Sequence, residues 1–138
     1  MLEEKEKKIQ KLYFQFQILD QNIKQIQQQT VTLNSQIVEL VSAVQSLDDL
    51  KNVKPGTEIF VPISSGVYAK AELKDNENLI VNVGAQITVK KDIIDTKKII
   101  EKQIEEMKKL QKQTVEELQH LATQAALIEK EMNKLSSE

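Results

Sequence analysis

The 138-residue sequence contains no cysteine, no tryptophan and no arginine, so all 19 basic residues are lysine. The lack of cysteine excludes disulfides, thiol nucleophiles and cysteine-ligated metals. The lack of arginine counts against phosphate clamps and guanine readout, which use its planar guanidinium. The formal net charge of -2 also lacks the basic excess of a nucleic-acid-binding protein. We therefore expect no nucleic-acid partner.

Helix-breaking residues are few and confined to one stretch. The three glycines and two prolines all lie between positions 55 and 84: Gly56, Gly66, Gly84, Pro55 and Pro62. No run approaches the ~20 apolar residues that span a bilayer, and the charged start of the chain lacks the apolar core of a signal peptide. We expect an uninterrupted element on each side of this stretch, no membrane contact and a cytoplasmic location.

Both flanking segments carry a heptad repeat, in which apolar residues alternate at spacings of three and four. Such a period, sustained over roughly six heptads, is typical of a coiled coil. In residues 1–52 the seam positions are Leu2, Ile9, Leu12, Phe16, Leu19, Ile23, Ile26, Thr30, Leu33, Ile37, Leu40, Val44 and Leu47. In residues 92–138 they are Ile93, Ile100, Ile104, Met107, Gln111, Thr114, Leu118, Leu121, Ala125, Ile128, Met132 and Leu135. We predict one long helix in each segment, with Asp92 as the N-cap of the second.

The two helices fit each other as an antiparallel pair in which the numbers of facing seam residues sum to 144. In this register Thr30 faces Thr114 and Leu33 faces Gln111, so the polar interruptions of both seams fall at one level. A slip of one heptad would set these polar side chains against hydrocarbon. We predict an intramolecular hairpin in this register; the alternative is two helices that pair only with other chains.

Between the helices, residues 53–91 change to a period of two, with polar side chains at most even positions. The apolar odd positions are Ile59, Val61, Ile63, Val67, Ala69, Ala71, Leu73, Leu79, Val81, Val83, Ile87 and Val89. This alternation predicts four short strands that form two successive β-hairpins. Sheets this small are marginal in water without a packing partner. The predicted fold is one α+β domain, a long antiparallel two-helix coiled coil with two β-hairpins inserted between the helices, that assembles through its strands.

Catalytic and metal-binding patterns are missing from the sequence. It has no phosphate-binding loop, dinucleotide fingerprint, zinc-protease motif or EF-hand loop. The single histidine, His120, lies at an exposed heptad position, and Ser64 and Ser65 precede Gly66 in a turn. The neighbouring Asp48 and Asp49 end the first helix without a third ligand. We expect no catalytic residue, no metal, no cofactor and no enzymatic activity.

Several apolar side chains lie off the seam near the free ends of the two helices. They are Tyr13, Phe14, Ile18 and Leu127, at heptad positions that face solvent in a lone helical hairpin. Scattered surface apolarity is common, but two of the chain's five aromatic residues are clustered here. Exposed apolar patches tend to be contact sites. We interpret this cluster as a binding surface.

In architecture and in two strand segments, the chain resembles the α-class subunits of prefoldin, an archaeal and eukaryotic co-chaperone. Residues 60–68, FVPISSGVY, are similar to the family's V-P-hydrophobic-small-small-G segment. Residues 79–85, LIVNVGA, are similar to its V-x-V-G-small segment. The β class would have one hairpin between the helices, so two hairpins favour the α class.

The resemblance implies a heterohexamer of two α and four β subunits that captures non-native proteins without ATP and passes them to a group II chaperonin. It implies client-binding contacts near the helix tips at Leu2, Ile9, Tyr13, Phe14, Ile18, Leu127, Met132 and Leu135. It implies oligomerisation contacts in the strands at Ile59, Val61, Val67, Leu79, Val81, Ile87 and Val89. A structural scaffold or tether without chaperone activity is the alternative function, and a homo-oligomer is the alternative assembly.

Overall fold

A computed structural model describes residues 1–137 and contains two long helices separated by four strands. Helix α1 spans Leu2–Lys51 and helix α2 spans Ile93–Ser137. The strands are β1 at Glu58–Ser64, β2 at Val67–Glu72, β3 at Asn78–Gly84 and β4 at Ile87–Asp92. The predicted α+β fold, with two β-hairpins inserted between two coiled-coil helices, is confirmed. Within the described residues, neither helix is long and apolar enough to cross a membrane.

The chain divides into two compact units. The terminal unit consists of Met1–Gln36 together with residues 107–137, and the central unit consists of Ile37–Glu106. Each unit therefore contains a part of both helices, and the central unit also contains all four strands.

The helical seam of the terminal unit follows the predicted heptads. Leu12, Ile26, Thr114 and Ala125 are buried, and the seam positions between them are half-buried, while residues at the other heptad positions are mostly exposed. Leu2 is the exception, because it remains 77% exposed at the start of α1. The residues that meet across this unit agree with the predicted antiparallel register, since Leu33 lies beside Leu110 and Thr114.

The two threonine hydroxyls at the polar level of the seam form hydrogen bonds within their own helices. The Thr30 hydroxyl donates to the Ile26 carbonyl at 2.9 Å, and the Thr114 hydroxyl donates to the Leu110 carbonyl at 2.8 Å. A threonine bonded in this way can face hydrocarbon without an unpaired donor. A register slip would therefore be costly mainly because it buries the Gln111 side-chain amide against hydrocarbon. The threonine pair contributes less to the choice of register than the sequence pattern implies.

The central unit contains two separate two-stranded antiparallel sheets. Strand β1 pairs with β2, and β3 pairs with β4. Each ladder shifts by one residue just before its turn, at Ile63 in the first hairpin and Val83 in the second. Away from the turns, odd residues pair with odd residues in both ladders, as Val61 does with Ala69 and Val81 with Val89, so these apolar side chains share a face as predicted.

The turn of the second hairpin adopts a left-handed backbone without a central glycine. Ala85 has φ 49° and Gln86 has φ 62°. Two successive positive φ angles match the hairpin twist and are normally supplied by Asn-Gly or Gly-Gly. The first hairpin instead places Gly66 at its positive-φ position, where φ is 78°.

Polar caps join the strands to the helices. Asp92 is the N-cap of α2, as predicted, because its Oδ1 accepts a hydrogen bond from the Asp95 amide at 2.7 Å. Asn76 caps the other helix, since its side-chain amide donates to the carbonyls of Lys51 at 3.3 Å and Val53 at 2.9 Å. The link between the two hairpins is thereby tied to the end of α1.

Candidate functional site

The eight side chains predicted to bind a client fall into two groups by exposure. Ile9, Met132 and Leu135 are half-buried, because they close the end of the helical seam. The other five are exposed: Leu2, Tyr13, Phe14, Ile18 and Leu127. Leu127 and Phe14 are each 62% exposed.

Ile18 and Leu127 come together across the terminal unit in one cleft. The seam residues Leu19 and Ile128 also line it, and the side-chain amides of Gln15 and Gln124 complete the lining. The cleft has a volume of about 480 Å³ and opens to solvent. We call it the apolar cleft. Its lining is mainly hydrocarbon with two neutral amides, which suits an apolar side chain carried by a peptide.

Tyr13 and Phe14 do not line the apolar cleft. Ile18 and Leu127 both occupy heptad position c, whereas Tyr13 is at e and Phe14 at f, so the tyrosine projects from the other side of the seam. Phe14 lies four residues before Ile18 on the neighbouring face of α1, so only Tyr13 is separated from the cleft by the seam. The four off-seam side chains predicted as a cluster therefore lie on more than one face of the helical pair.

The seven predicted oligomerisation residues occupy the odd face of the hairpins. Ile59, Leu79, Val81 and Val89 are half-buried, and Val61, Val67 and Ile87 are exposed. Val81 faces Val89 across the second ladder, so these two side chains pair within the hairpin. The exposed side chains of Val61, Val67 and Ile87 are left uncovered by the described part of the chain.

The even face of the hairpins is more apolar than the sequence reading indicated. On this face, Phe60 and Tyr68 line a shallow recess together with Lys70. Ile80, on the even face of the second hairpin, is 81% exposed. The signal was present in the sequence as two breaks in the odd-even alternation, at positions 60 and 80. The alternation of apolar and polar residues is regular on either side of these positions, so a single apolar residue at an even position does not stand out.

A second cleft in the terminal unit was not predicted. It also has a volume of about 480 Å³, and its lining comprises Gln25, Gln28, Gln29, Thr32, Leu33, Leu110 and Thr114. We call it the glutamine cleft. The sequence signal was the glutamine-rich, charge-poor stretch of α1. A run of glutamines does not by itself show which of them face the second helix, so periodicity alone could not locate the cleft.

The electrostatic features of the chain are local and lie outside both clefts. Lys97 Nζ lies 2.8 Å from Asp48 Oδ1, and this hydrogen bond raises the pKa of Lys97. The backbone amides of Glu77 and Asn78 donate to Asp75 and lower the pKa of its carboxyl group. No set of three metal-ligating side chains comes together within residues 1–137.

The sequence family of the chain was established by comparison with known proteins. A family model described as "Prefoldin subunit" matches residues 19–138, which include the strands and most of both helices. The chain belongs to the prefoldin family. Several relatives of this chain are prefoldin α subunits, which indicates that the chain belongs to the α class. Prefoldin subunits are non-enzymatic, so the family agrees with the expectation of a protein that is not an enzyme.

Individual relatives have moderate identity over most of this chain. The prefoldin α subunit of Methanobrevibacter smithii is 34% identical over 97 residues, which are 70% of this chain and 66% of the relative. Prefoldin subunit α 1 of Thermococcus kodakarensis is 33% identical over 95 residues, 69% of this chain and 65% of the relative. The matched region thus spans just under two thirds of the length of these curated relatives.

A solved structure shares the prefoldin fold. A chain in the cryo-EM structure of filamentous PFD from Methanocaldococcus jannaschii superposes with a TM-score of 0.73 at 17% sequence identity. The superposition covers 88% of this chain and 98% of that chain. At this identity the similarity concerns the fold, including two helices joined through short strands.

Proposed function

We propose that this prefoldin chain is a chaperone subunit that holds non-native proteins without ATP and delivers them to a group II chaperonin. The observation that carries the proposal is the apolar cleft near the free end of the helical pair, lined by the exposed side chains of Ile18 and Leu127. Exposed apolar side chains that come together in one cleft tend to be contact sites. The family supports the chaperone role.

Client contact is assigned to the end of the terminal unit. The proposed residues are Leu2, Ile9, Tyr13, Phe14, Ile18, Leu127, Met132 and Leu135. Because the exposed members lie on more than one face of the helical pair, each subunit offers several small apolar contacts. Weak contacts from several subunits add by multivalency, since each further contact is intramolecular once the first has formed. Such binding permits release to a competing chaperonin without an energy source.

Assembly is assigned to the odd face of the hairpins. The proposed residues are Ile59, Val61, Val67, Leu79, Val81, Ile87 and Val89. Two separate two-stranded sheets are marginal in water, and uncovered apolar residues remain on this face. We propose pairing with prefoldin β subunits in a hexamer of two α and four β chains. The proposed location is the cytoplasm, where non-native chains and a chaperonin would be met.

The holdase assignment is tested by light scattering. The oligomer purified with its partner subunit should suppress aggregation of a thermally unfolding client in the absence of ATP. Replacing Tyr13, Phe14 and Ile18 with serine should reduce this protection severalfold while gel filtration shows an intact oligomer. Full aggregation in the presence of the wild-type oligomer would leave a structural scaffold as the better description.

A further inference from the structure

The two clefts of the terminal unit lie along the same side of the helical pair. The residues of α1 that line the apolar cleft are centred near position 17, and those of the glutamine cleft near position 29. At 1.5 Å per residue, this separation is roughly 18 Å along α1. The corresponding groups on α2 are centred near positions 126 and 112, a separation of roughly 21 Å. The cleft centres are therefore about 20 Å apart.

The surface of α1 that joins the clefts is uncharged. From position 12 to position 38 the helix has two charged residues, Asp20 and Lys24, and these pair with each other at 3.0 Å. Asp20 lies on the other side of the helix from Ile18, and Lys24, four residues before Gln28, lies at the edge of the stripe with its charge paired to Asp20. The stripe between the clefts is thus formed by neutral amides and apolar groups.

The glutamines of this stripe have unused hydrogen-bonding capacity. Within residues 1–137, the side-chain amides of Gln25, Gln28 and Gln29 are exposed and make no hydrogen bond to another protein group. Each amide offers a carbonyl acceptor and two N–H donors. A peptide backbone presents the complementary acceptor and donor at every residue. The stripe therefore matches an extended main chain in hydrogen bonding and in charge.

On α2, one carboxylate lies between the two clefts. Leu110 and Gln124 line the two clefts, and Glu117 lies midway between them, seven residues from each. Residues seven apart lie on the same face of a coiled-coil helix. A segment that runs between the clefts would pass this carboxylate, which favours neutral or basic side chains there and disfavours acidic ones.

We infer that the two clefts form one binding site for an extended polypeptide segment that has apolar side chains six residues apart. An extended strand rises about 3.3 Å per residue, so six residues span about 20 Å, and side chains at an even separation point to the same face. One apolar side chain enters the apolar cleft, and the other contacts Leu33 and Leu110 in the glutamine cleft. The inference rests on the proposed function, because it defines which segments of a non-native protein this subunit recognises.

Binding of labelled peptides to the purified oligomer, measured by fluorescence anisotropy, tests the spacing. The first peptide carries leucines at positions i and i+6 in a neutral serine and asparagine background. The second carries them at i and i+3. We expect the first to bind about tenfold more tightly, because only it reaches both clefts. Replacing the residue at i+2, which faces the same surface as the two leucines, with glutamate should weaken binding, and lysine should not. Equal affinity for the two spacings would overturn the inference.

Matched variants test the path between the clefts. The substitutions Gln28→Glu and Gln29→Glu together add two carboxylates to the stripe, where a bound segment would desolvate them. Gln27→Glu with Asn34→Asp adds the same charge on the other side of α1. The first pair should weaken the i+6 peptide about tenfold, and the second pair by less than twofold. Equal effects of the two pairs would contradict a bound segment on this stripe.

Single truncations distinguish one two-cleft site from two independent sites. Ile18→Ser and Leu110→Ser should each reduce the affinity of the i+6 peptide to that of the i+3 peptide. If neither changes binding, the inference is wrong. Suppression of client aggregation by the wild-type oligomer is measured in parallel. Suppression without peptide discrimination overturns this inference alone, whereas a lack of suppression overturns the proposed function.

Discussion

At the scale of single residues, Asp92 connects the last strand to the second helix. Its side chain accepts a hydrogen bond from the Asp95 amide at 2.7 Å, while its backbone still pairs with Asn78 in the ladder of β3 and β4. The first four amides of a helix lack intrahelical partners, so one such acceptor fixes the residue at which the helix begins. The carboxylate also lies near the positive end of the helix dipole.

The substitution Asp92→Ala is expected to destabilise the protein by about 1 kcal/mol, because the Asp95 amide loses its acceptor. Asp92→Asn keeps an oxygen in the same place and should lose only a fraction of this. Chemical denaturation followed by circular dichroism measures both. Equal losses for alanine and asparagine would mean that the charge matters more than the hydrogen bond.

A substitution in the turn of the second hairpin should instead raise the stability of the protein. Ala85 and Gln86 hold positive φ angles that cost an L-residue with a Cβ roughly 1–2 kcal/mol each. Replacing the pair with Asn-Gly should stabilise the protein by about 1–2 kcal/mol, since that pair is preferred in such a turn.

The first hairpin provides the control for this prediction. Gly66 already occupies a positive-φ position there, so Gly66→Ala should destabilise the protein by about 1 kcal/mol. Thermal denaturation of both variants at one protein concentration provides the measurement. A lower melting temperature for the Asn-Gly variant would show that the left-handed backbone at Ala85 and Gln86 is not a source of strain.

At the scale of secondary-structure elements, the regular parts of this fold could be predicted because each obeys one period. The alternation of three and four fixed the seams of α1 and α2, and the period of two fixed the strands. Phe60 and Ile80 were missed because they depart from the local period. The glutamine cleft was missed because it depends on the side chains of two helices meeting, which no single periodicity encodes.

The link between the two hairpins depends on Asp75. Its carboxylate accepts hydrogen bonds from the backbone amides of Glu77 and Asn78 and from the Asn78 side chain. The backbone hydrogen bond from Glu77 is the main cause of its lowered pKa. The same link carries Asn76, which caps α1, and Glu77, whose carbonyl accepts from the Ile93 amide at 2.8 Å. Order in this short segment therefore affects the ends of both helices.

Acidification should loosen this link. A carboxyl group with a lowered pKa in the folded state stabilises the protein above its unfolded pKa, which is near 3.8, and loses that contribution as pH falls through the folded value. Asp75→Asn should therefore flatten the dependence of stability on pH below about pH 4. Urea denaturation at a series of pH values checks this. An unchanged pH dependence would show that the Asp75 hydrogen bonds form equally in the unfolded chain.

At the scale of the whole molecule, two kinds of apolar surface serve two proposed purposes. The helical part of the terminal unit combines small clefts with neutral amides, which suits weak binding to many sequences. The hairpins present broader apolar faces on short strands, which suits permanent burial. The exposed apolar residues of the hairpins occupy both faces, with Ile87 on the odd face and Ile80 on the even face.

A pair of charge substitutions on the second hairpin decides between the faces. Ile87 lies on the odd face with Val89, and Ile80 lies on the even face, and both side chains are exposed in the single chain. Lysine at either exposed position should change the stability of the isolated hairpin little. Lysine buried in an apolar subunit interface, by contrast, should weaken association by several kcal/mol. Ile87→Lys should therefore reduce the oligomer to smaller species in analytical ultracentrifugation, while Ile80→Lys keeps it intact. The reverse result would move assembly to the even face, beside Phe60 and Tyr68, and would leave the odd face free for another partner.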